Sequence, residues 1–168
     1  MGLLKDWGFS EQSWRGQRGE YWVVLQVLLL LGFVALPVVR LSPLPSPPGQ
    51  YGLWAIAMLC ATWGGVCLGK GVLDLGRNLT PLPYPREDGA LVQTGVYQLV
   101  RHPLYSGVIF VAIAWALYQW SLSHGLGGVV LFAFLDAKAR QEENWLIQKY
   151  PDYGTYRQHV KKLIPWVY

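Results

Sequence analysis

The feature that most constrains this sequence is a series of long apolar runs without a charged side chain. Residues 21–39, 51–69 and 104–120 each contain no Asp, Glu, Lys or Arg. A helix needs about 20 apolar residues to cross the hydrocarbon core of a bilayer, so each run has about the length of one membrane span. A fourth run, 126–135, is shorter. We expect it to form one helix that continues past Asp136 as a polar extension, with a re-entrant hairpin as the alternative.

The composition indicates the same fold class. Charged residues make up only 14% of the chain and the AVILMFWYC set 52%, whereas a soluble domain carries about 25% charged residues. These values exclude a disordered chain, a coiled coil and a soluble nucleic-acid-binding domain, despite a net charge of +4. The sequence therefore predicts an all-α, multi-pass transmembrane bundle of about four helices, surrounded by membrane lipids and without a nucleic-acid partner.

The order of the runs predicts three parts of the chain. We expect a segment on the membrane surface, then the first two membrane helices, then a core with two further spans, at residues 1–20, 21–69 and 70–168. Trp7, Phe9 and Trp14 among charged residues are typical of such a surface segment, with a solvated arm as the alternative. No cleavable signal peptide is expected. Gly65 and Gly69 are predicted to form a small-residue face for close helix packing.

Positive charge is distributed unevenly between the connections. Of the 14 Lys and Arg residues, 13 lie before the first run, between the second and third, or after the fourth, and only Arg40 lies elsewhere. By the positive-inside rule, both termini and the 71–103 loop are predicted to be cytoplasmic. The two large polar stretches, 71–103 and 136–168, would then meet on one side of the membrane. The compact four-span plan favours a prokaryotic plasma membrane.

Two familiar kinds of site are excluded by the spacing of their residues. Residues 64–71 read GGVCLGKG, but Gly71 stands where a phosphate-binding loop needs Ser or Thr, and the run lies in a membrane span. The three histidines and two cysteines have no metal-ligand spacing. We therefore expect no bound metal, and no Ser/His/Asp arrangement stands out.

The first polar stretch ends with reactive side chains at the mouth of the third span. Arg101 and His102 precede Pro103, which restricts the residue before it and suits the first turn of a helix. The start of that helix offers unpaired N–H groups and a partial positive charge. We expect it to hold an anionic group such as a carboxylate, and Gly107 leaves room for a ligand. The alternative is an interfacial cap, with Arg101 reaching lipid headgroups.

The second polar stretch brings acidic side chains to the same side. Lys138 and Glu142 are four residues apart, which a solvated helix with ion pairs explains. However, adjacent Glu142 and Glu143 point to different faces, so at least one can turn towards the bundle, near Arg101 and His102. Three tyrosines follow at roughly helical spacing and are interpreted as structural aromatics of the interface: Tyr150, Tyr153 and Tyr156.

The two stretches TGVYQLVRHPLYSG and RQEENWLIQKYPDYGTYRQHVKKLIP resemble the isoprenylcysteine carboxyl methyltransferase family. That family belongs to a wider group that includes phospholipid N-methyltransferases. The resemblance covers residues 75–165 and depends on RHPxYxG, EExxL and a following Y-x-x-Y. It implies a multi-pass methyltransferase that uses S-adenosylmethionine and releases S-adenosylhomocysteine. The cofactor pocket would lie between the cytoplasmic loop and the C-terminal segment, and the acceptor would enter from the membrane.

The resemblance also implies site residues at matching positions of this sequence. Cofactor contacts are expected at Gly89, Ala90, Leu91, Val92, Tyr97, His102, Pro103, Leu104 and Tyr105, and at Glu142 or Glu143. Catalytic roles are expected for Arg101, His102, Arg140 and Glu142. Arg140 or Lys138 would pair with a carboxylate of the acceptor.

The nature of the acceptor leaves more than one hypothesis. The resemblance favours O-methylation of the carboxylate of a lipidated, isoprenylcysteine-like acceptor. A phospholipid amine is the alternative within the same chemistry. A small non-enzymatic membrane scaffold or transport subunit, with both polar stretches serving as caps and anchors, is the alternative from another class. The sequence assigns no oligomeric state.

Overall fold

The computed structural model describes residues 18–43 and 45–168 of the chain. Five α-helices follow one another: α1 (Glu20–Ala35), α2 (Pro47–Leu75), α3 (Pro103–Gln119), α4 (Leu122–Lys149) and α5 (Tyr153–His159). Two short 3₁₀ turns, Gly76–Asn78 and Gly95–Gln98, lie between α2 and α3. Across the described ranges the backbone forms no strand beyond two isolated bridges, which confirms the all-α class. The predicted surface segment lies, for residues 1–17, outside the described residues.

The first helix is shorter than the sequence predicts. α1 ends at Ala35, and the predicted end at residue 39 is wrong. Leu36 has φ −59° and ψ 135°, an extended conformation, because the residue before a proline is disfavoured in the α region and Pro37 follows.

The second helix is longer than predicted at both ends. α2 begins at Pro47, so residues 47–50 are helical and lengthen the predicted run 51–69 at its start. Proline suits the first turn, where its missing N–H costs no helical hydrogen bond. At the other end α2 continues past residue 69 to Leu75 and stops at Gly76, whose φ of 51° is one that glycine adopts easily.

The fourth run forms one uninterrupted helix. α4 extends over 28 residues, and Ser121 caps it by accepting a hydrogen bond from the backbone N–H of His124. The predicted single helix with a polar extension is therefore confirmed, and the re-entrant hairpin is not adopted. Within the described part of the chain, α2 with its following turn and α4 are long and apolar enough to cross a membrane, whereas α1 and α3 are shorter apolar helices.

The closest helix contact is made by different glycines from those predicted. Gly65 and Gly69 are exposed, and a Cβ added at either would meet nothing within 4 Å. α2 instead crosses α3 at Gly64 and Gly107, where a Cβ on either glycine would lie 2.9 Å from the other's carbonyl oxygen. The face of α2 that packs against α3 thus contains Gly64, one residue before the predicted Gly65. The face with Gly65 and Gly69 points outward.

The two polar stretches come together at one end of the bundle. Val100 and Lys161 form a parallel bridge. The backbone N–H of Arg101 donates to the carbonyl of Lys161 at 2.8 Å, and that of His102 to the carbonyl of Lys162 at 3.1 Å. The C-terminal segment therefore lies directly against the chain that leads into α3.

Candidate active site

The corner that leads into α3 has the geometry expected from its sequence. His102 is the N-cap residue, with φ −123° and ψ 68°, and Pro103 occupies the first turn. Both side chains are buried. The imidazole of His102 stacks on the ring of Tyr105, with centroids 5.4 Å apart and planes 5° apart. This corner fixes His102 and Tyr105 side by side as one wall of a cavity.

Arg101 and Glu143 form a buried ion pair that ties the polar stretches together. Glu143 Oε1 lies 2.8 Å from both Nε and Nη2 of Arg101, and the two side chains are 2% and 7% exposed. His102 Nε2 lies 3.2 Å from the same oxygen. Arg101 Nη1 also donates to the carbonyls of Arg157 and Val160 in the C-terminal segment. Through these contacts, Arg101 and Glu143 link the start of α3 to α4 and to the C-terminal segment.

The neighbouring carboxylate faces the other way, into the cavity. Glu142 Oε2 accepts a hydrogen bond from the hydroxyl of Tyr105 at 2.7 Å and lies 3.7 Å from His102 Nδ1. Glu142 lines the cavity and Glu143 does not. The sequence left open which of the two faces the pocket, and the structure places Glu142 there.

Lys138, rather than Arg140, is the basic residue of α4 that lines the cavity. Arg140 points outward and pairs with Asp136 at 2.7 Å. Lys138 is 2% exposed, and its Nζ donates to Gln26 Oε1 at 2.5 Å and lies 5.2 Å from the ring centroid of Tyr105. No carboxylate within the described ranges forms a salt bridge with it. Of the two candidates for an anion partner, only Lys138 is in position.

The cavity between these residues has a volume of about 480 Å³. It is bounded by α1, α2, α3, α4, the 78–92 loop and the C-terminal tyrosines. Eleven of the predicted site residues line it: Gly89, Ala90, Leu91, Val92, Tyr97, Arg101, His102, Pro103, Leu104, Tyr105 and Glu142. Glu143 and Arg140 do not. The residues that the family resemblance singled out are thus brought to one place, with two exceptions.

The loop wall of the cavity is held by side chains from both polar stretches. The backbone N–H of Ala90 donates to Asn78 Oδ1 at 2.8 Å. The Tyr150 hydroxyl donates to the carbonyl of Gly89 at 2.8 Å, and Lys149 Nζ donates to the carbonyl of Glu87 at 3.1 Å. These contacts bring residues 89–92 against the start of the C-terminal segment.

Three buried tyrosines complete the wall of the cavity: Tyr97, Tyr153 and Tyr156. The Tyr156 hydroxyl donates to the carbonyl of Tyr97 at 2.5 Å, and the Tyr97 hydroxyl donates to the carbonyl of Gly71 at 3.3 Å. Burial raises the pKa of Tyr97, Tyr153 and Tyr156, so their phenols remain protonated donors around neutral pH. The sequence interpretation treated Tyr153 and Tyr156 as structural aromatics, and no spacing pattern identified them as cavity residues.

A second, almost wholly apolar cavity lies between the helices. It has a volume of about 650 Å³, and residues such as Phe33, Met58 and Trp115 line it. Leu68 and Val108 line both cavities. The two cavities therefore adjoin, one with charged side chains in its lining and the other almost wholly apolar. Within the described ranges, no cluster of His, Cys, Asp and Glu could hold a metal ion.

Comparison with known proteins identifies two methyltransferases and a steroid dehydrogenase among the relatives of this chain. The protein-S-isoprenylcysteine O-methyltransferase of Dictyostelium discoideum is 27% identical over 70% of this chain and 52% of its own length. A Pseudomonas methanethiol S-methyltransferase is 31% identical over 85% of this chain and 56% of its own. The 3-oxo-5-alpha-steroid 4-dehydrogenase 1 of Macaca fascicularis is 28% identical over 70% of this chain and 40% of its own.

The chain thus spans about half the length of these curated relatives. The profile of the phospholipid methyltransferase family matches residues 53–153, which include most of α2, all of α3 and α4, and the loop wall of the cavity. That match covers more than half of the 168 residues. It confirms the resemblance drawn from the two motif stretches, and the chain belongs to the phospholipid methyltransferase family of membrane proteins, together with the isoprenylcysteine methyltransferases.

Proposed function

We propose that this protein is an S-adenosylmethionine-dependent methyltransferase that O-methylates the carboxylate of a lipidated, isoprenylcysteine-like acceptor. The observation that carries the proposal is the pair of adjoining cavities, one charged and one apolar, which share Leu68 and Val108 as a common wall. Methyl transfer between a water-soluble donor and a membrane-bound acceptor needs two such compartments side by side.

The charged cavity suits S-adenosylmethionine in size and in the chemistry of its walls. Its 480 Å³ falls within the range of about 300–1,000 Å³ found for small-molecule sites. When bound, the cofactor supplies a methyl group on a positively charged sulfur. Glu142 supports the binding of its cationic groups, and the unpaired N–H groups at the start of α3 suit its carboxylate. The faces of Tyr97 and Tyr156 suit a cation or a flat ring.

The anion partner of the acceptor is Lys138 in this proposal. Its ammonium group is buried at the cavity wall, and its closest polar neighbours are uncharged: Gln26 and the carbonyl of Pro81. Among the described residues no carboxylate lies within salt-bridge distance of this ammonium group, so an anionic acceptor would give it a direct partner and stabilise it. Val23 and Val27 on the same face of α1 also line the cavity and bring apolar surface next to the ammonium group.

The chemistry requires alignment more than proton transfer. A carboxylate acceptor is already ionised near neutral pH, because its unperturbed pKa is about 3–4. No general base is needed, and the enzyme must align the reactants, which in favourable cases lowers a barrier by about 7–11 kcal/mol. Arg101 and His102 act in this scheme by fixing the start of α3 and by excluding water, beside the catalytic contact of Glu142. Arg140 has no role at the reacting atoms.

The proposed topology follows the same division. In this proposal α1 to α4 each cross the membrane, both termini and the charged cavity face the cytoplasm, and the membrane is a prokaryotic plasma membrane. The large exposed hydrophobic side chains support a lipid environment, as at Val34, Leu59 and Leu73, which are 80%, 71% and 72% exposed.

A phospholipid amine is the second candidate acceptor, favoured by the family whose profile matches residues 53–153. An amine must lose a proton before or during methylation, and His102 or Glu142 would then have to accept it. Methanethiol, named in a relative, would fill little of the 650 Å³ apolar cavity.

The test uses purified full-length protein in detergent. S-adenosylhomocysteine is added first, and the thermal midpoint is measured. Binding linkage predicts a stabilisation of about 2.7 kcal/mol at a hundredfold excess over the dissociation constant. Transfer of a labelled methyl group is then compared for a farnesylated cysteine, phosphatidylethanolamine and methanethiol. Absence of a thermal shift would favour the non-enzymatic alternative, and labelling of the lipid amine alone would replace the carboxylate acceptor.

A separate experiment tests the role of Lys138. Lys138→Met should raise KM for the farnesylated cysteine by about tenfold or more, because a charge-assisted hydrogen bond is lost. The affinity for S-adenosylhomocysteine should change far less. Arg140→Met is the matched control and should leave both values close to those of the wild type. Equal effects of the two substitutions would reject Lys138 as the anion partner.

A further inference from the structure

Tyr153 is the most deeply buried tyrosine of the cavity wall. It begins α5, its side chain is 1% exposed, and its ring packs edge-on against Tyr156 with centroids 5.8 Å apart. Tyr153 lines the charged cavity. Its hydroxyl is buried and has no hydrogen-bond partner within residues 18–43 and 45–168.

The other tyrosines of the same wall all have a partner for their hydroxyl. Tyr105 donates to Glu142, and Tyr97, Tyr150 and Tyr156 each donate to a backbone carbonyl. Buried polar groups in folded proteins are almost always paired, since an unpaired one destabilises the fold. Among residues 18–43 and 45–168 the hydroxyl of Tyr153 therefore stands ready for a partner that these residues do not supply.

The surroundings of Tyr153 favour an anionic partner at one end of the cavity. A protonated phenol can donate a strong hydrogen bond to a carboxylate oxygen. Burial keeps Tyr153 protonated by raising its pKa. The start of α3, which presents a partial positive charge, borders the same cavity at Pro103 and Leu104. Glu142, which lines the same cavity and accepts from Tyr105, would repel a carboxylate, so the positive end of the ligand belongs beside Glu142.

We propose that the Tyr153 hydroxyl donates a hydrogen bond to the amino-acid carboxylate of the bound methyl donor, as a cofactor-binding residue. This inference rests on the proposed function. The hydroxyl then contributes to ligand affinity and not to the stability of the ligand-free fold. A buried tyrosine whose hydroxyl already has a partner in the chain does the reverse. It also assigns the contact to one part of the cofactor, because the adenosine part carries no carboxylate.

The experiment compares two ligands on the full-length protein in detergent. S-adenosylhomocysteine carries the amino-acid carboxylate, and methylthioadenosine lacks it. Dissociation constants for both are measured by calorimetry for the wild type, Tyr153→Phe and Tyr156→Phe, together with the thermal midpoint of each ligand-free protein. Tyr156→Phe is the matched control because the hydroxyl of Tyr156 already has a partner in the chain.

Tyr153→Phe should weaken S-adenosylhomocysteine binding by about tenfold to a hundredfold, the range for a hydrogen bond to a charged group. It should leave methylthioadenosine binding unchanged, and the ligand-free thermal midpoint should be equal to or above that of the wild type. Tyr156→Phe should lower that midpoint and keep the wild-type ratio of the two dissociation constants.

Four outcomes would overturn the inference. Equal weakening of both ligands by Tyr153→Phe would place the hydroxyl at the adenosine part. A lower thermal midpoint, or failure to fold, would show that the hydroxyl supports the fold. If the wild type binds S-adenosylhomocysteine and Tyr153→Phe binds it equally well, only this inference fails. If the wild type binds neither ligand, the proposed function fails with it.

Discussion

Glu142 and Glu143 are adjacent in sequence, yet the structure predicts that the same substitution lowers stability at one site and cofactor affinity at the other. Glu143 is 2% exposed, and its Oε1 lies 2.8 Å from two nitrogens of Arg101. Glu143→Gln would leave the guanidinium of Arg101 buried without a counter-ion. Breaking a buried pair in this way costs about 3–5 kcal/mol, which for a chain of this size lowers the thermal midpoint by roughly 6–20 °C.

Glu142→Gln should behave differently because its side chain is 26% exposed and faces the cavity. The amide oxygen can still accept the hydrogen bond from Tyr105, so stability should change by less than about 1 kcal/mol. Cofactor affinity should fall instead, because the negative charge at the cavity wall is lost.

The assay measures the thermal midpoint and S-adenosylhomocysteine affinity of both variants in the same detergent. A further pair tests the ion pair itself: Arg101→Met should cost less stability when Glu143→Gln is already present than in the wild type, since the two charges are coupled. Equal midpoints for the two glutamine variants, or additive effects of Arg101→Met and Glu143→Gln, would refute the assignment of separate roles.

Two further predictions concern packing and pH. Gly64→Ala should cost about 1–3 kcal/mol of stability in thermal denaturation, because the new Cβ would lie 2.8 Å from Val111 Cγ2, whereas Gly65→Ala, which meets nothing within 4 Å, should be tolerated; equal losses would reject the packing. Burial raises the pKa of Tyr97 and Tyr156 above the value of about 10 in the unfolded chain, so the contribution of these two phenols to stability should be constant below about pH 10 and fall above it. Tyr156→Phe should make that fall less steep, and an unchanged slope would contradict the buried phenol.

The sequence predicted the helices well where hydrophobicity alone decides, and less well where backbone chemistry does. The uncharged run 104–120 became α3, displaced by one residue. The ends of α1 and α2 depended on how Pro37 and Pro47 act locally. The close contact at Gly64 was assigned to Gly65 and Gly69, because a spacing of four residues identifies a helix face without saying which face turns inward.

The sequence predicted which residues belong to the candidate site better than it predicted the role of each residue. Eleven of the residues that the family resemblance named line one cavity. It could not separate Glu142 from Glu143, since about 100° of helix rotation decides which one meets Arg101. Lys138 looked like an ordinary partner for Glu142 four residues on. Its actual neighbour, Gln26, lies 112 positions away in sequence, and no local pattern links the two.

The unbroken course of α4 also has a consequence for how the membrane acts on the protein. At 1.5 Å per residue, its 28 residues extend over about 42 Å, more than the roughly 30 Å of hydrocarbon. Lys138 and Glu142 are carried on that same rod, with no hinge between them and the apolar half. In the proposed topology, the depth of the charged cavity below the headgroups is therefore set by how this one helix fits the local bilayer, and thicker or thinner lipid mixtures would raise or lower the cavity as a unit.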